Sequence, residues 1–238
     1  MQPLLLRTRV LIASALGAAG VAGLAWLAEA ALDVSWRYPL HAALVFSVMM
    51  AIAFGAASTQ HPFPRFGPAN RVTMLRAMLV ALVAALLVEA RTPVAAWWVV
   101  GATALVAALD GLDGLLARRT GMASTFGARF DMETDALLIL VLSLLVWQDE
   151  KAGAWVILCG AMRYAFVAAG WALPWMAGPL GPTRRGKAVA VSQLVGLGVA
   201  LAPPVTPPLS TIVAAATLLA LTWSFAIDVG RLWRGRAG

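Results

Sequence analysis

The chain has 238 residues, of which 61% are hydrophobic and only 12% are charged, and its mean hydropathy is +0.84. These values exclude an ordinary water-soluble domain and indicate an integral membrane protein. A net charge of +7 is also typical of nucleic-acid-binding proteins, but here the basic residues gather in the connections on one side of the predicted membrane topology. Nucleic acid is therefore excluded as a partner.

Eight apolar segments of about 17 to 24 residues follow one another along the chain, and each can cross about 30 Å of hydrocarbon as a helix. No stretch alternates polar and apolar residues as a transmembrane strand does. The sequence therefore predicts an all-α, polytopic membrane bundle of about eight transmembrane helices. The predicted spans are 10–32, 38–57, 72–90, 94–117, 130–147, 153–173, 188–203 and 209–228.

The basic residues predict the orientation of these spans. With the N-terminus inside, 14 of the 18 Lys and Arg residues fall on the cytoplasmic side, and only Arg37, Arg91 and Lys151 fall outside, while Arg163 lies within a span. Such a bias follows the positive-inside rule and predicts that both termini are cytoplasmic.

The first 30 residues also resemble a secretory signal. The apolar run is long for a signal, so we interpret it as an uncleaved anchor.

Residues 58–71, with three prolines, predict a linker that divides the chain. Residues 1–57 before it form a predicted transmembrane hairpin with no buried polar group in mid-span. Residues 72–238 after it form the predicted core, which holds every intramembrane acid that needs an explanation.

Four aspartates stand in this core as two pairs on consecutive helices. Asp110 and Asp113 are three residues apart, and Asp131 and Asp135 are four apart, so each pair shares a helix face. Because the short connection at 119–126 makes the helices antiparallel, we expect the two pairs to meet. At 5 Å and an effective dielectric near 20, two ionised carboxylates repel by about 3 kcal/mol, so the cluster needs cations or protons.

Three interpretations of this cluster compete. Surface acids neutralised by Arg118 and Arg129 would not account for two facing pairs. A transporter would hold its carboxylates near the midplane, whereas these lie near one membrane face. A catalytic metal site is favoured, because carboxylate oxygens suit Mg2+ or Mn2+, and a pair of such ions favours in-line displacement at phosphorus.

The spacing of the cluster is more specific than this chemistry requires. It reads Asp110-x2-Asp113-Gly114-x2-Ala117-Arg118-x8-Gly127-x3-Asp131-x3-Asp135. This pattern resembles the signature of the CDP-alcohol phosphotransferase family at all eight fixed positions. Asn70-x2-Thr73-x2-Arg76 resembles the element that opens the first core helix of that family, and the six spans from residue 72 onward match its six-helix core.

The resemblance implies a reaction and a set of residue roles. The family transfers a substituted phosphoryl group from a CDP-linked donor, usually CDP-diacylglycerol, to an alcohol and releases CMP in phospholipid synthesis. Asp110, Asp113 and Asp131 would bind two divalent cations, Mg2+ or Mn2+. Asp135 would complete the metal shell and act as the catalytic base toward the acceptor hydroxyl. The implied nucleotide-binding residues are Thr73, Arg76, Gly114, Ala117, Arg118 and Gly127.

The acceptor side is predicted from a second group of basic residues. Arg163 lies within a span, where a charge is usually functional, and Arg184, Arg185 and Lys187 stand at the cytoplasmic entrance of the next helix. Gly186-Lys187, followed by Gln193, resembles an element of phosphatidylglycerophosphate synthases, although Ala190 stands where threonine is usual there. These residues predict a phosphorylated acceptor, glycerol 3-phosphate.

The expected partners and location follow from the same resemblance. The lipid donor would enter from the bilayer and the acceptor from the cytosol, at the cytoplasmic face of the inner membrane, and the family leads us to expect a homodimer. Alternative acceptors are serine, an inositol phosphate or phosphatidylglycerol. A non-catalytic or transport protein that has kept the core is the alternative outside the enzyme class.

Overall fold

A computed structural model of the chain describes residues 2–57, 67–120, 124–178, 180–181 and 183–236. Within these ranges, the side chains of residues 2–11, 54–57, 113–115, 117 and 118 are not described. The described residues are almost entirely helical and contain no strand. The α-helices are α1 (Gln2–Leu32), α2 (Tyr38–Ala57), α3 (Pro68–Ala85), α4 (Pro93–Thr120), α5 (Thr125–Gln148), α6 (Leu158–Ala172), α7 (Arg184–Leu201) and α8 (Leu209–Gly235).

Each predicted span overlaps one of these helices, so the prediction of an all-α membrane bundle is confirmed. Among the described residues, five helical segments are long and apolar enough to cross a membrane: Ile12–Leu32, Pro68–Val88, Pro93–Leu112, Ala154–Ala172 and Leu209–Gly235. A shorter apolar helix covers Tyr38–Ala53. This is an integral membrane protein.

The ends of the helices have local causes. Pro68 lies in the first turn of α3, where its missing N–H is no loss, so α3 begins four residues before the predicted span. The hydroxyl of Ser124 accepts a hydrogen bond from the backbone N–H of Gly127 at 3.0 Å and so caps the start of α5. Thr183 caps α7 in the same way, accepting from the N–H of Gly186 at 3.0 Å.

The chain divides into two compact units, Met1–Leu138 and Ile139–Gly238, and the boundary falls within α5. In the first unit, α1 packs against α2, α2 against α3, and α3 against α4. Tyr38, Phe46, Val80 and Leu86 are completely buried in its core. The predicted linker is described only from Gly67 onward, since residues 58–66 lie outside the described ranges.

In the second unit, α7 packs against α8 and α6 contacts α8. Two loops are joined at one end of this unit through Lys151, whose ammonium group donates to the carbonyls of Ala202 at 3.3 Å and Val205 at 2.6 Å. The hydroxyl of Ser210 donates to the carbonyl of Lys151 at 2.6 Å. These bonds satisfy polar groups at helix ends that would otherwise cost free energy in an apolar surrounding.

Candidate functional site

Three of the four predicted aspartates converge in the first unit. Asp110 comes from α4, whereas Asp131 and Asp135 lie one turn apart on α5, and one carboxylate oxygen of each lies within 4.8 Å of the others. All three side chains are partly buried. The predicted meeting of the α4 and α5 acids is therefore present in the structure. Asp113 lies on α4, but its side chain is outside the described part of the chain.

Arg76 of α3 lies among these carboxylates. Its side chain is completely buried, and its guanidinium forms ion pairs with Asp131 and Asp135. Its Nη2 atom also lies 3.4 Å from Oδ1 of Asp110. One buried cation thus contacts three carboxylates that would otherwise repel one another. The motif had predicted a phosphate contact for Arg76, and no sequence pattern pointed to this pairing, which joins residues 55 and 59 positions apart.

The other residues of the Asn70-x2-Thr73-x2-Arg76 element are buried beside Arg76 on α3. Asn70 is 5% exposed and Thr73 is 2% exposed, and the Thr73 hydroxyl donates to the carbonyl of Ala69 at 3.2 Å. These three residues recur every three positions and so follow one side of the helix. The element therefore forms a polar stripe within an otherwise apolar helix.

Gly127 is the point of closest approach between α5 and this stripe. A Cβ atom at Gly127 would lie 2.8 Å from Oδ1 of Asn70 and 3.3 Å from Oγ of Ser124. Any larger side chain would have to displace the Asn70 amide or shift the start of α5. The glycine that the motif has at this position thus allows α5 to pack closely on Asn70.

Three further predicted nucleotide-binding residues, Gly114, Ala117 and Arg118, fall on α4. Their contacts lie outside the described part of the chain. Gly114 and Arg118 are four residues apart, about one turn of the helix.

The four predicted acceptor-binding residues belong to the second unit. Arg163 lies on α6 and is partly buried, while Arg184 and Lys187 are exposed in the first turn of α7. Arg185 forms an ion pair with Asp228 of α8, and Nη1 of Arg231 lies 3.9 Å from the same carboxylate. The structure therefore brings Arg185 and Arg231 together around Asp228. The sequence pattern did not indicate the contact between Arg185 and Asp228, which are 43 residues apart.

The carboxylate cluster fits a hard divalent cation. Its oxygen atoms come from three side chains on two helices, and oxygen-only donor sets are those that Mg2+ and Mn2+ prefer. The buried position of Arg76 shows that this part of the protein accommodates positive charge between the acids. A charged cluster of this kind within a membrane protein is usually functional.

Comparison with known proteins identifies the family. The family model of CDP-alcohol phosphatidyltransferases matches residues 66–227, well over half of the chain. No curated protein and no solved structure matches the chain. The match includes α3 with Arg76, the aspartates of α4 and α5, and the basic start of α7. The chain belongs to the CDP-alcohol phosphatidyltransferase family, which transfers a phosphatidyl group from a CDP-alcohol to an alcohol.

Proposed function

We propose that this protein transfers the phosphatidyl group of CDP-diacylglycerol to glycerol 3-phosphate and releases CMP. The observation that carries the proposal is the convergence of Asp110, Asp131 and Asp135 within 4.8 Å inside a membrane protein of this family. The family generally uses divalent metals. The specific donor, acceptor and metal ions are part of the proposal.

Asp110, Asp131 and Asp135 would hold the divalent cations, Mg2+ or Mn2+, together with Asp113, which completes the motif. When bound, two such ions supply positive charge that offsets the charge developing on the diphosphate of the donor. Arg76 contacts all three described carboxylates and keeps them at a fixed separation. Its rigid guanidinium makes it a better spacer than a lysine would be.

Asp135 would act as the general base. Its carboxylate removes the proton from the acceptor hydroxyl as the oxygen attacks the phosphorus of the phosphatidyl group. The new phosphorus–oxygen bond replaces the bond to the oxygen of the CMP phosphate, and CMP leaves with the electron pair of the broken bond. Asp135 suits this role because it lies on α5 next to Arg76, which holds its carboxylate in position.

The nucleotide would lie along α4 and the polar stripe of α3. By the family resemblance, Gly114 and Ala117 would leave room for the cytidine, while Thr73 and Arg118 would contact the phosphates. Gly127 would act indirectly, since it allows α5 to approach Asn70.

The acceptor would be held by Arg163, Arg184, Arg185 and Lys187. These four cations favour an acceptor that carries a phosphate of its own over a zwitterion such as serine. Asp228 offsets part of the charge of Arg185 and limits the number of phosphate groups the site can neutralise. Glycerol 3-phosphate matches this charge better than phosphatidylglycerol, because it brings a dianionic phosphate.

The remaining parts of the proposal concern the membrane. The basic residues favour both termini and the active site at the cytoplasmic face of the inner membrane. The catalytic core would cover residues 72–238, after the hairpin 1–57 and the linker 58–71. That the protein forms a homodimer is a prediction from the family alone.

The test is CMP release by the purified protein in lipid micelles, with CDP-diacylglycerol, Mg2+ and a panel of acceptors. We expect activity with glycerol 3-phosphate that chelator removes and that falls about 100-fold or more in Asp135→Asn. Glu133→Gln is the matched control, because Glu133 lies two residues away on α5 and is exposed. Activity with serine or inositol phosphate alone would correct the acceptor. If the folded protein releases no CMP with any acceptor, the result favours the non-catalytic alternative.

A further inference from the structure

The α1–α2 hairpin lies outside the residues matched by the family model, which begin at residue 66. The hairpin contributes none of the aspartates and none of the predicted substrate-binding residues. It nevertheless belongs to the same compact unit as the carboxylate cluster, and it packs on α3. Two sets of contacts show how it is attached.

The first attachment is a close approach at Gly17. A Cβ atom at this position would lie 2.7 Å from Cε of Met74 and 2.7 Å from the ring of Phe46. Met74 belongs to α3, and Phe46 is completely buried on α2. A side chain at this position would have to displace the end of Met74 and the buried ring of Phe46. Gly23, two turns further along α1, has no such neighbour within 4 Å.

The second attachment lies at the opposite end of α3. The carboxylate of Glu89 is only 4% exposed and accepts hydrogen bonds from the backbone N–H of Ser35 at 2.8 Å and from its hydroxyl at 2.9 Å. The hydroxyl of the buried Tyr38 donates to the carbonyl of Leu82 at 3.0 Å. The turn between α1 and α2 is thereby fixed to the last turns of α3 and the loop after it.

Between these two attachments, α3 carries Arg76, the last residue of the polar stripe. Met74 and Arg76 are two residues apart, which places them about 200° apart around the helix axis. The hairpin therefore contacts one side of α3 while Arg76 contacts the three carboxylates on another. Any shift of α3 would move Arg76 relative to all three aspartates. In catalytic sites, a displacement of about 1 Å can cost about 100-fold in rate.

We propose that the α1–α2 hairpin positions α3, and through it Arg76 and the metal-binding carboxylates, with Gly17 and Glu89 as its positioning residues. This inference rests on the proposed metal-dependent transfer reaction. It assigns residues 1–57 a role in the site rather than in membrane anchoring alone.

The test compares full-length variants in micelles. Gly17→Val introduces a branched side chain against Met74 and Phe46, and Gly23→Val is its matched control on the same helix. Glu89→Ala removes both bonds to Ser35, whereas Glu89→Gln keeps an acceptor for the Ser35 N–H. The measured quantities are kcat for CMP release, the Mg2+ concentration at half-maximal rate, and Mn2+ affinity from electron paramagnetic resonance.

We expect Gly17→Val and Glu89→Ala to lower kcat about tenfold and to weaken Mg2+ and Mn2+ binding about threefold or more. Gly23→Val and Glu89→Gln should stay within about twofold of wild type. If circular dichroism shows that Gly17→Val does not fold, the kcat and metal affinity of Glu89→Ala test the proposal. Folded variants that lose thermal stability but keep wild-type kcat and metal affinity would overturn the proposal. If wild type releases no CMP, the proposed function fails, and Mn2+ affinity alone decides the role of the hairpin.

Discussion

Arg76 is the residue on which the arrangement of the carboxylates depends. A completely buried guanidinium contacts Asp110, Asp131 and Asp135, which come from two other segments of the chain. Removing one partner of a buried ion pair is strongly destabilising, because the remaining charges lose their compensation. Arg76 therefore stabilises the carboxylate cluster, and its proposed role in the reaction depends on the same contacts.

We expect Arg76→Gln to lower the free energy of unfolding by about 3 kcal/mol and to abolish CMP release. Thermal unfolding with and without Mg2+ checks this, and the gain in stability on adding Mg2+ should be larger in the variant, because the cation replaces the lost charge. Arg71→Gln is the control, since Arg71 lies on the same helix and is exposed. Equal destabilisation in both variants would contradict the role assigned to Arg76.

How far the site could be predicted differs from residue to residue. The aspartates were accessible to sequence reasoning, because spacings of three and four residues place side chains on one helix face. The pairing of Arg76 with them was not, because it joins α3 to α5 across more than 50 residues, and helix periodicity says nothing about which helices meet. The same holds for Arg185 and Asp228, which are 43 residues apart.

At the level of the helices, close packing depends on a few glycines. A Cβ atom at Gly160 of α6 would lie 2.3 Å from Cα of Leu140 on α5, and one at Gly196 of α7 would lie 2.1 Å from Cγ2 of Thr217 on α8. Small residues of this kind allow membrane helices to gain dispersion contacts, which replace the hydrophobic effect within lipid.

We expect Gly160→Ala to lower the free energy of unfolding by about 1–3 kcal/mol, because the new methyl group meets backbone that cannot move without shifting α5. Gly101→Ala should leave it unchanged or raise it, since nothing lies within 4 Å of a Cβ atom at Gly101 on α4, and alanine is the better helix former. Thermal unfolding in micelles measures both. A neutral Gly160→Ala would show that α5 and α6 can separate at no cost.

The positions of the helices were predictable, but several of their ends were not. Hydropathy detects the part of a helix that lies in hydrocarbon, whereas hydrogen bonding continues a helix into the interface. This explains why α8 extends to Gly235, beyond the predicted end at 228 and past Arg231 and Arg234. It also explains why α3 already begins at Pro68.

On the scale of the whole molecule, the predicted site charges are shared between helices that qualify as membrane spans and helices that do not. Five of the described helical segments qualify as spans by length and composition, and α5 and α7 are not among them. The charged residues of these two helices account for this: α5 carries Asp131, Glu133 and Asp135, and α7 begins with Arg184, Arg185 and Lys187. The count of five therefore leaves out two helices that carry Asp131, Asp135 and three of the predicted acceptor residues.

The orientation that the basic residues predict can be tested with introduced cysteines, because the chain has a single cysteine of its own. Cys159 is 3% exposed, so the wild-type chain should react little with a membrane-impermeant thiol reagent. Trp36, in the turn between α1 and α2, is 66% exposed, and Arg234 is exposed near the end of α8. A cysteine at either position should react once the reagent reaches it.

In intact cells we expect Trp36→Cys to be labelled and Arg234→Cys to be protected, because the positive-inside rule places α8 and its arginines at the cytoplasmic face. After permeabilisation both should react, which shows that protection came from the membrane rather than from folding. The reverse pattern would place the C-terminus and the basic start of α7 outside. A soluble acceptor drawn from the cytosol would then lack access to those arginines, and the proposed acceptor site would fail along with the topology.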